Sequence, residues 1–491
     1  MIPALILLPV LAGFAAFFVR AAVLRRGLLV LTALAHAGLT AAAWVRRPGP
    51  ALGDWLFLDA PGLLFLSITS ALFLATAIYA IGYLRAEVGR AATDLEEGFL
   101  FDNAPEAIFV GCLLLFLGAM TLVTVSQHFG LLWIAIEATT LASAPLIYFH
   151  RHHRSLEATW KYLLICSVGI ALALLGNFFL GVAATQARQP ALSLELDVLT
   201  ANAGRLQVPW LKAAFILLLV GYGTKMGLAP LHTWLPDAHS EAPSVISALL
   251  SGALLNCAFL GILRAQQVCA AAGQAAFGQE MLVGFGLVSM AVAAVFILGQ
   301  TDYKRLLAYS SVEHMGLLAL GVGLGGAATF GALLHAVNHS FTKAMLFLVA
   351  GNILAVYQTK TIGQVRGVLR VVPVTGALWL MGLLAITGSP PFGPFLSELT
   401  ILRGAFEQGR NGVGALYLVL LALIFIGMTA AFLGMAQGEP EKAVPGSRPR
   451  SPWLMVAPPA VLGTCVLVLG LYVPEFLDHL LHEAARTLGG S

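Results

Sequence analysis

Residues 223 to 252 read GTKMGLAPLHTWLPDAHSEAPSVISALLSG. The apolar run that leads into this stretch would pass for a membrane span, yet it contains Lys225 and is interrupted midway by glycine and by Pro230. A charge at mid-bilayer costs about 2.5 to 3.5 kcal/mol on insertion scales. Backbone that leaves the helix at membrane depth is tolerated only inside protein or along a water-filled cavity. A lysine beside a broken helix therefore implies a membrane protein with a polar path through it.

Composition supports that reading along the whole chain. Of 491 residues, 59% are hydrophobic and only 10% are charged, too few for the polar surface of a soluble domain. A spanning helix needs roughly 20 mainly apolar residues. Hydropathy and punctuation predict about fourteen spans, near residues 2–19, 27–45, 60–83, 105–126, 129–149, 157–183, 210–235, 243–263, 281–300, 304–323, 327–357, 371–406, 412–436 and 453–474. The apolar start, MIPALILLPVLAGF, lacks a basic n-region and a cleavage site, so it reads as a retained helix.

Cytoplasmic loops carry the excess of Lys and Arg. Odd-numbered loops hold Arg20, Arg25, Arg26, Arg85, Arg90, Arg151, Arg154, Lys304, Arg305, Lys360, Arg366, Arg370, Lys442, Arg448 and Arg450. Even-numbered loops hold mainly Arg46, Arg47, Arg188, Arg205 and Arg410. With an even helix count, both termini are expected on the non-cytoplasmic side. The net charge of +3 follows from this bias, and no basic run interleaved with aromatics suggests nucleic acid as a partner. Cys112, Cys166, Cys257, Cys269 and Cys465 show neither CxxC nor Cys/His spacing, so no cluster, zinc or disulfide is expected.

Ionisable groups inside the spans are functional candidates. Three of the seven lysines qualify: Lys225, Lys343 in LLHAVNHSFTKAMLFL, and Lys161, which lies near a helix start and can snorkel to the interface. Glu137 falls mid-span in FGLLWIAIEATTLASAPLIYF and requires a cationic partner, for which Lys225 is the natural candidate. His335, His339 and Lys343 follow at i, i+4 and i+8, on one helix face, a spacing suited to a proton wire. The two histidines could share a metal, but no third ligand is evident, and no metal site is assigned. His232 lies in the first broken segment, and Glu313 and His314 lie in the tenth span.

A second span is broken in AITGSPPFGPFLSELTIL, at Pro390 and Pro391, with Glu398 beside the break. Transporters place paired breaks at corresponding positions of two inverted repeats. Here the breaks fall on the fourth member of spans 4–8 and of spans 9–13. The expected architecture is all-α and polytopic, with inverted five-helix repeats over 105–268 and 281–436, a three-helix segment over 1–104, and a loop and last helix over 437–491.

These residues resemble the antiporter-like subunits of respiratory complex I and their relatives in Mrp-type sodium/proton antiporters and membrane-bound hydrogenases. The motifs are residues 223–252, TDYKRLLAYSSVEHMG (301–316), HAVNHSFTKAMLFL (335–348) and GSPPFGPFLSE (388–398). The resemblance implies that Glu137 and Lys225 form a coupled pair, and that His335, His339, Lys343 and Glu398 continue a hydrated midplane chain of titrating groups. Many complex I members carry a Lys or His on the eighth helix, where GALLNCAFLGILR has Asn256, which can hydrogen-bond a water bridge but cannot titrate. Among these relatives the sequence is most similar to the F component of hydrogenase-4 or formate-hydrogenlyase-like complexes.

The implied function is proton translocation in a redox-driven complex of a bacterial cytoplasmic membrane, with other membrane subunits and a peripheral redox arm as partners. The chain offers no nucleotide loop, flavin motif or cluster ligands, so no cofactor is expected in it, and iron–sulfur clusters and nickel–iron would reside in partners. The alternatives are a Mrp-type cation/proton exchanger and the membrane subunit of an inorganic-carbon uptake complex with a zinc-bearing partner.

Overall fold

The computed structural model describes residues 1–87, 92–93, 100–186, 191–439 and 452–488. Arg90, Arg188, Lys442, Arg448 and Arg450 of the charge-bias argument lie outside the described residues. The helices, in chain order, are α1 (Ile2–Phe18), α2 (Ala22–Val45), α3 (Ala60–Glu87), α4 (Glu106–Val125), α5 (Phe129–Ile147) and α6 (His153–Ala183). There follow α7 (Val208–Met226), α8 (Trp234–Glu241), α9 (Ser244–Ala271), α10 (Ala275–Leu298), α11 (Tyr303–Leu324) and α12 (Ala327–Tyr357). The last are α13 (Pro373–Ile386), α14 (Gly393–Glu407), α15 (Asn411–Ala436), α16 (Pro452–Leu471) and α17 (Glu475–Arg486). Among the described residues, eleven helices are long and apolar enough to cross a membrane, and α1 and α13 are shorter apolar helices. With α7 these occupy the fourteen expected positions.

The expected breaks fall at their prolines. Span 7 divides into α7 and α8, and its first half stops at Gly227, whose φ of 86° is left-handed and suits a residue without Cβ. Span 12 divides into α13 and α14 around Gly388, Pro390 and Pro391. Three elements were not anticipated. Helix α8 covers residues assigned to a loop, the amphipathic α17 follows the last span, and α9 carries a π-helical turn over Leu250–Leu254. Helix α9 also runs to Ala271, beyond the expected end near 263.

Small residues decide which helices touch. A Cβ on Gly221 of α7 would lie 2.6 Å from the backbone of Gly169 and Ala173 on α6, so only glycine allows this approach. That contact sets the side chains of α6 against those of α7. Helices α9 and α12 form much of the buried centre, and α9 has no lipid-exposed side within its span.

Ion pairs mark two opposite faces. On the face of the odd-numbered loops, Arg26 holds Glu106 at 2.6 Å and Arg305 holds Asp237 at 2.8 Å. On the other, Arg47 holds Glu483 of α17 at 2.5 Å and Arg410 pairs with Glu280. At the head of α3, the nearly inaccessible Arg264 forks both oxygens of Asp59. Burial pushes the Asp59 carboxyl up, but Arg264 and the Gly62 N–H outweigh it and hold the group below its ordinary range.

Candidate functional site

Lys225 lies in the last turn of α7 and is completely buried. Its ammonium donates to Thr140 Oγ1 at 2.8 Å and to Tyr162 OH at 2.6 Å, and it lies 4.4 Å from the Tyr162 ring centre. Glu137 does not pair with it directly, contrary to the expectation. The Thr140 hydroxyl stands between them, accepting from Lys225 and donating to Glu137 at 3.2 Å. The reason is position on the helix. Glu137 lies one turn before Thr140 on α5 and is half-buried on the flank of the chain, so the shorter side chain reaches the core.

A second cluster gathers on α11, α12 and α14. The i, i+4, i+8 stripe does not bond along itself, which corrects the single-helix wire. Instead His314 of α11 bridges it from across, with its Nδ1 2.9 Å from His335 Nε2 and its ring 5.1 Å from that of His339. His335 Nδ1 meets Ser397 Oγ of α14 at 2.9 Å, one residue before the buried Glu398. Lys343 donates to the Leu307 carbonyl at 2.7 Å and to Ser310 Oγ. Glu313 is buried and within electrostatic reach of both Lys343 and Glu398. Among the described residues the His335–His339 pair gathers no third ligand, and the groups that do approach one another are His314, His335 and Glu398.

Asn256 lies between the clusters. Its amide donates to Ser340 Oγ of α12 at 2.7 Å and to the Gly252 carbonyl at 3.0 Å, and the neighbouring Cys257 is within electrostatic reach of Lys225. His232 sits in the span 7 break and faces the ring of Tyr309. Lys161 is half-exposed and bonded to Glu157 and Asp237 at 2.7 and 2.9 Å, so it belongs to the aqueous face.

That face opens into a polar cavity of about 520 Å³ lined by Glu157, Lys161, Asp237, Glu241, Arg305 and Lys360, among others. Lys360 meets Glu241 at 2.7 Å, and the buried Lys304 donates to the Ser240 and Ala242 carbonyls at 3.0 and 2.6 Å. Behind them lies His239, fully buried, stacked on Phe347 at 4.9 Å and within electrostatic reach of Lys304, Lys343 and His339. Sequence reading missed His239 because it ended span 7 near residue 235, at the start of α8. It also missed Thr140, Tyr162, Ser310, Ser340 and Ser397, hydroxyls without a sequence signature that packing alone brings beside titrating groups.

Fold and site together define a membrane subunit with buried lysines, histidines and carboxylates in its core. The family model "NADH:quinone oxidoreductase/Mrp antiporter, TM" matches residues 126–429, and the chain belongs to that family. It is 36% identical over 386 residues to "Hydrogenase-4 component F homolog" of Methylacidiphilum infernorum (isolate V4), covering 76% of this chain and 79% of the relative. It is 30% identical over 414 residues to "Hydrogenase-4 component B" of Escherichia coli (strain K12), over 82% of this chain but 58% of that longer protein. The fold matches a chain of the archaeal membrane-bound sulfane sulfur reductase with a TM-score of 0.84 at 20% identity, over 99% of this chain and 97% of the other.

Proposed function

We propose that this chain translocates protons as a membrane subunit of a multisubunit, redox-driven complex of the hydrogenase-4 kind. The observation that supports it most is the buried row of Lys225, Asn256, Lys343, His339, His314, His335 and Glu398, which crosses five helices and lies beside a polar cavity. Such groups persist in a bilayer only where they are used or firmly paired, and few of these are ion-paired.

Protons enter from the cavity by way of Glu241, Lys304 and His239 to Lys343. They pass between imidazoles at the His314–His335 contact and leave beside Glu398. A charge change in partner subunits near the flanking Glu137 alters the Thr140 bridge and thus the hold of Lys225 on its proton, which is passed on through water near Asn256. Residues 105–268 and 281–436 act as two half-channels, flanked by 1–104 and 437–491. The redox chemistry, with iron–sulfur and nickel–iron centres, resides in a peripheral arm, and the membrane is the bacterial cytoplasmic one with both termini outside.

Each proton moved against 100 mV requires about 2.3 kcal/mol from that arm. In sealed vesicles containing the complex, Lys225→Ala is expected to abolish redox-driven acidification while electron transfer continues. Full translocation by this variant would overturn the reading. Strict dependence of the flux on sodium would assign cation/proton exchange instead.

A further inference from the structure

We propose that His314, His335 and Glu398 form a binding site for one borderline divalent transition-metal ion, with Zn²⁺ as the type case, and that the bound ion plugs the path. One ligand atom from each residue lies within 4.8 Å of the others. They come from three separate helices, α11, α12 and α14, so the set is made by packing and not by local spacing. Two imidazoles and a carboxylate with an open fourth position are a familiar zinc set, whereas calcium and magnesium prefer all-oxygen ligands.

Three further observations point to a cation. Glu398 Oε1 and both ring nitrogens of the adjacent His339 are buried without a hydrogen-bond partner among the described residues. Leaving a buried polar atom unpaired is costly, so this space favours an occupant that accepts lone pairs. Glu313 lies within electrostatic reach of Glu398, so two carboxylates, not one, are available to balance a double positive charge. Ser397 already holds the far nitrogen of His335 at 2.9 Å, as outer partners of metal-bound histidines do.

Occupation requires the facing nitrogens of His314 and His335, now 2.9 Å apart, to turn from each other toward the ion. The proton shared between them is lost, and conduction stops at that point. Inhibition by the metal rests on the proposed conduction path, but binding does not, so the two are tested apart.

The test is titration of the purified full-length chain with Co²⁺, whose visible absorption reports nitrogen and oxygen ligation. The expected result is one saturable Co²⁺ per chain, displaced by one equivalent of Zn²⁺. Glu398→Gln and His335→Asn each weaken it at least tenfold, and the double change His479→Asn with His482→Asn, on α17, leaves it intact. Absence of a saturable band, or a band unchanged in Glu398→Gln, would overturn the site. Should Glu398→Gln fail to fold, His314→Gln gives the same reading, supported by the loss of Zn²⁺-induced thermal stabilisation. Binding without inhibition of vesicle acidification would keep the site and remove the conduction path through it.

Discussion

Lys225 and Asp59 are both tied to a partner of the other sign, but the two ties differ in kind. Asp59 is forked by Arg264, whereas Lys225 reaches Glu137 only through the Thr140 hydroxyl. A buried guanidinium left unpaired is costly, so Asp59→Asn is expected to destabilise the protein by about 3 kcal/mol at neutral pH, read as thermal unfolding in detergent. Because the folded carboxyl titrates below its unfolded value, its contribution is complete above about 3.9, the usual carboxylate value, and is lost as pH falls through the lower folded value. The wild type therefore loses stability in acid where Asp59→Asn is flatter. The positions of Glu137, Lys225, Lys343 and Glu398 were legible in the sequence, because a charge in an apolar run stands out. Their partners were not. Thr140 and Tyr162 look like ordinary span residues, and which oxygen sits between Glu137 and Lys225 depends on the rotation of α5.

At the scale of elements, α6 and α7 show how a site depends on a residue that never touches it. Gly221 lets the helices approach until Tyr162 bonds Lys225. Gly221→Leu should force them apart, remove that bond and reduce vesicle acidification at least tenfold, while circular dichroism retains the helical content. The broken spans were legible from their prolines and glycines. Helix α8 was not, because its eight residues, WLPDAHSE, are too short and polar for periodicity to distinguish from a loop. His239 was lost with it. Likewise the stripe of His335, His339 and Lys343 was correctly placed on one face, but spacing on one helix carries no information about His314 arriving from another.

For the whole molecule, the ion pairs divide the loops into two faces, and the cavity opens on the one that carries Arg154, Arg305 and Lys360. Under the proposed orientation, which follows the positive-inside rule, that face is the cytoplasmic one. A membrane-impermeant maleimide should therefore label Glu157→Cys only in inside-out vesicles and Asn411→Cys only in right-side-out ones. The reverse pattern would invert the proposed direction of proton entry. Span number and order were legible because lipid imposes one simple rule on every segment. The closing α17 was not, since it buries Leu477, Leu480 and Leu481 against its own chain and crosses nothing.

The π-turn of α9 shifts the phase of the helix. One extra residue over Leu250–Leu254 rotates its two halves by about 100° relative to a regular one. At the start of that turn Ser251 meets Ser311 of α11, and past its end Asn256 meets Ser340 of α12. A regular helix could aim one of them correctly but not both. Here length is as strict a specification as chemistry: side chains can be exchanged, but dropping one residue would straighten the helix and throw its two ends out of step.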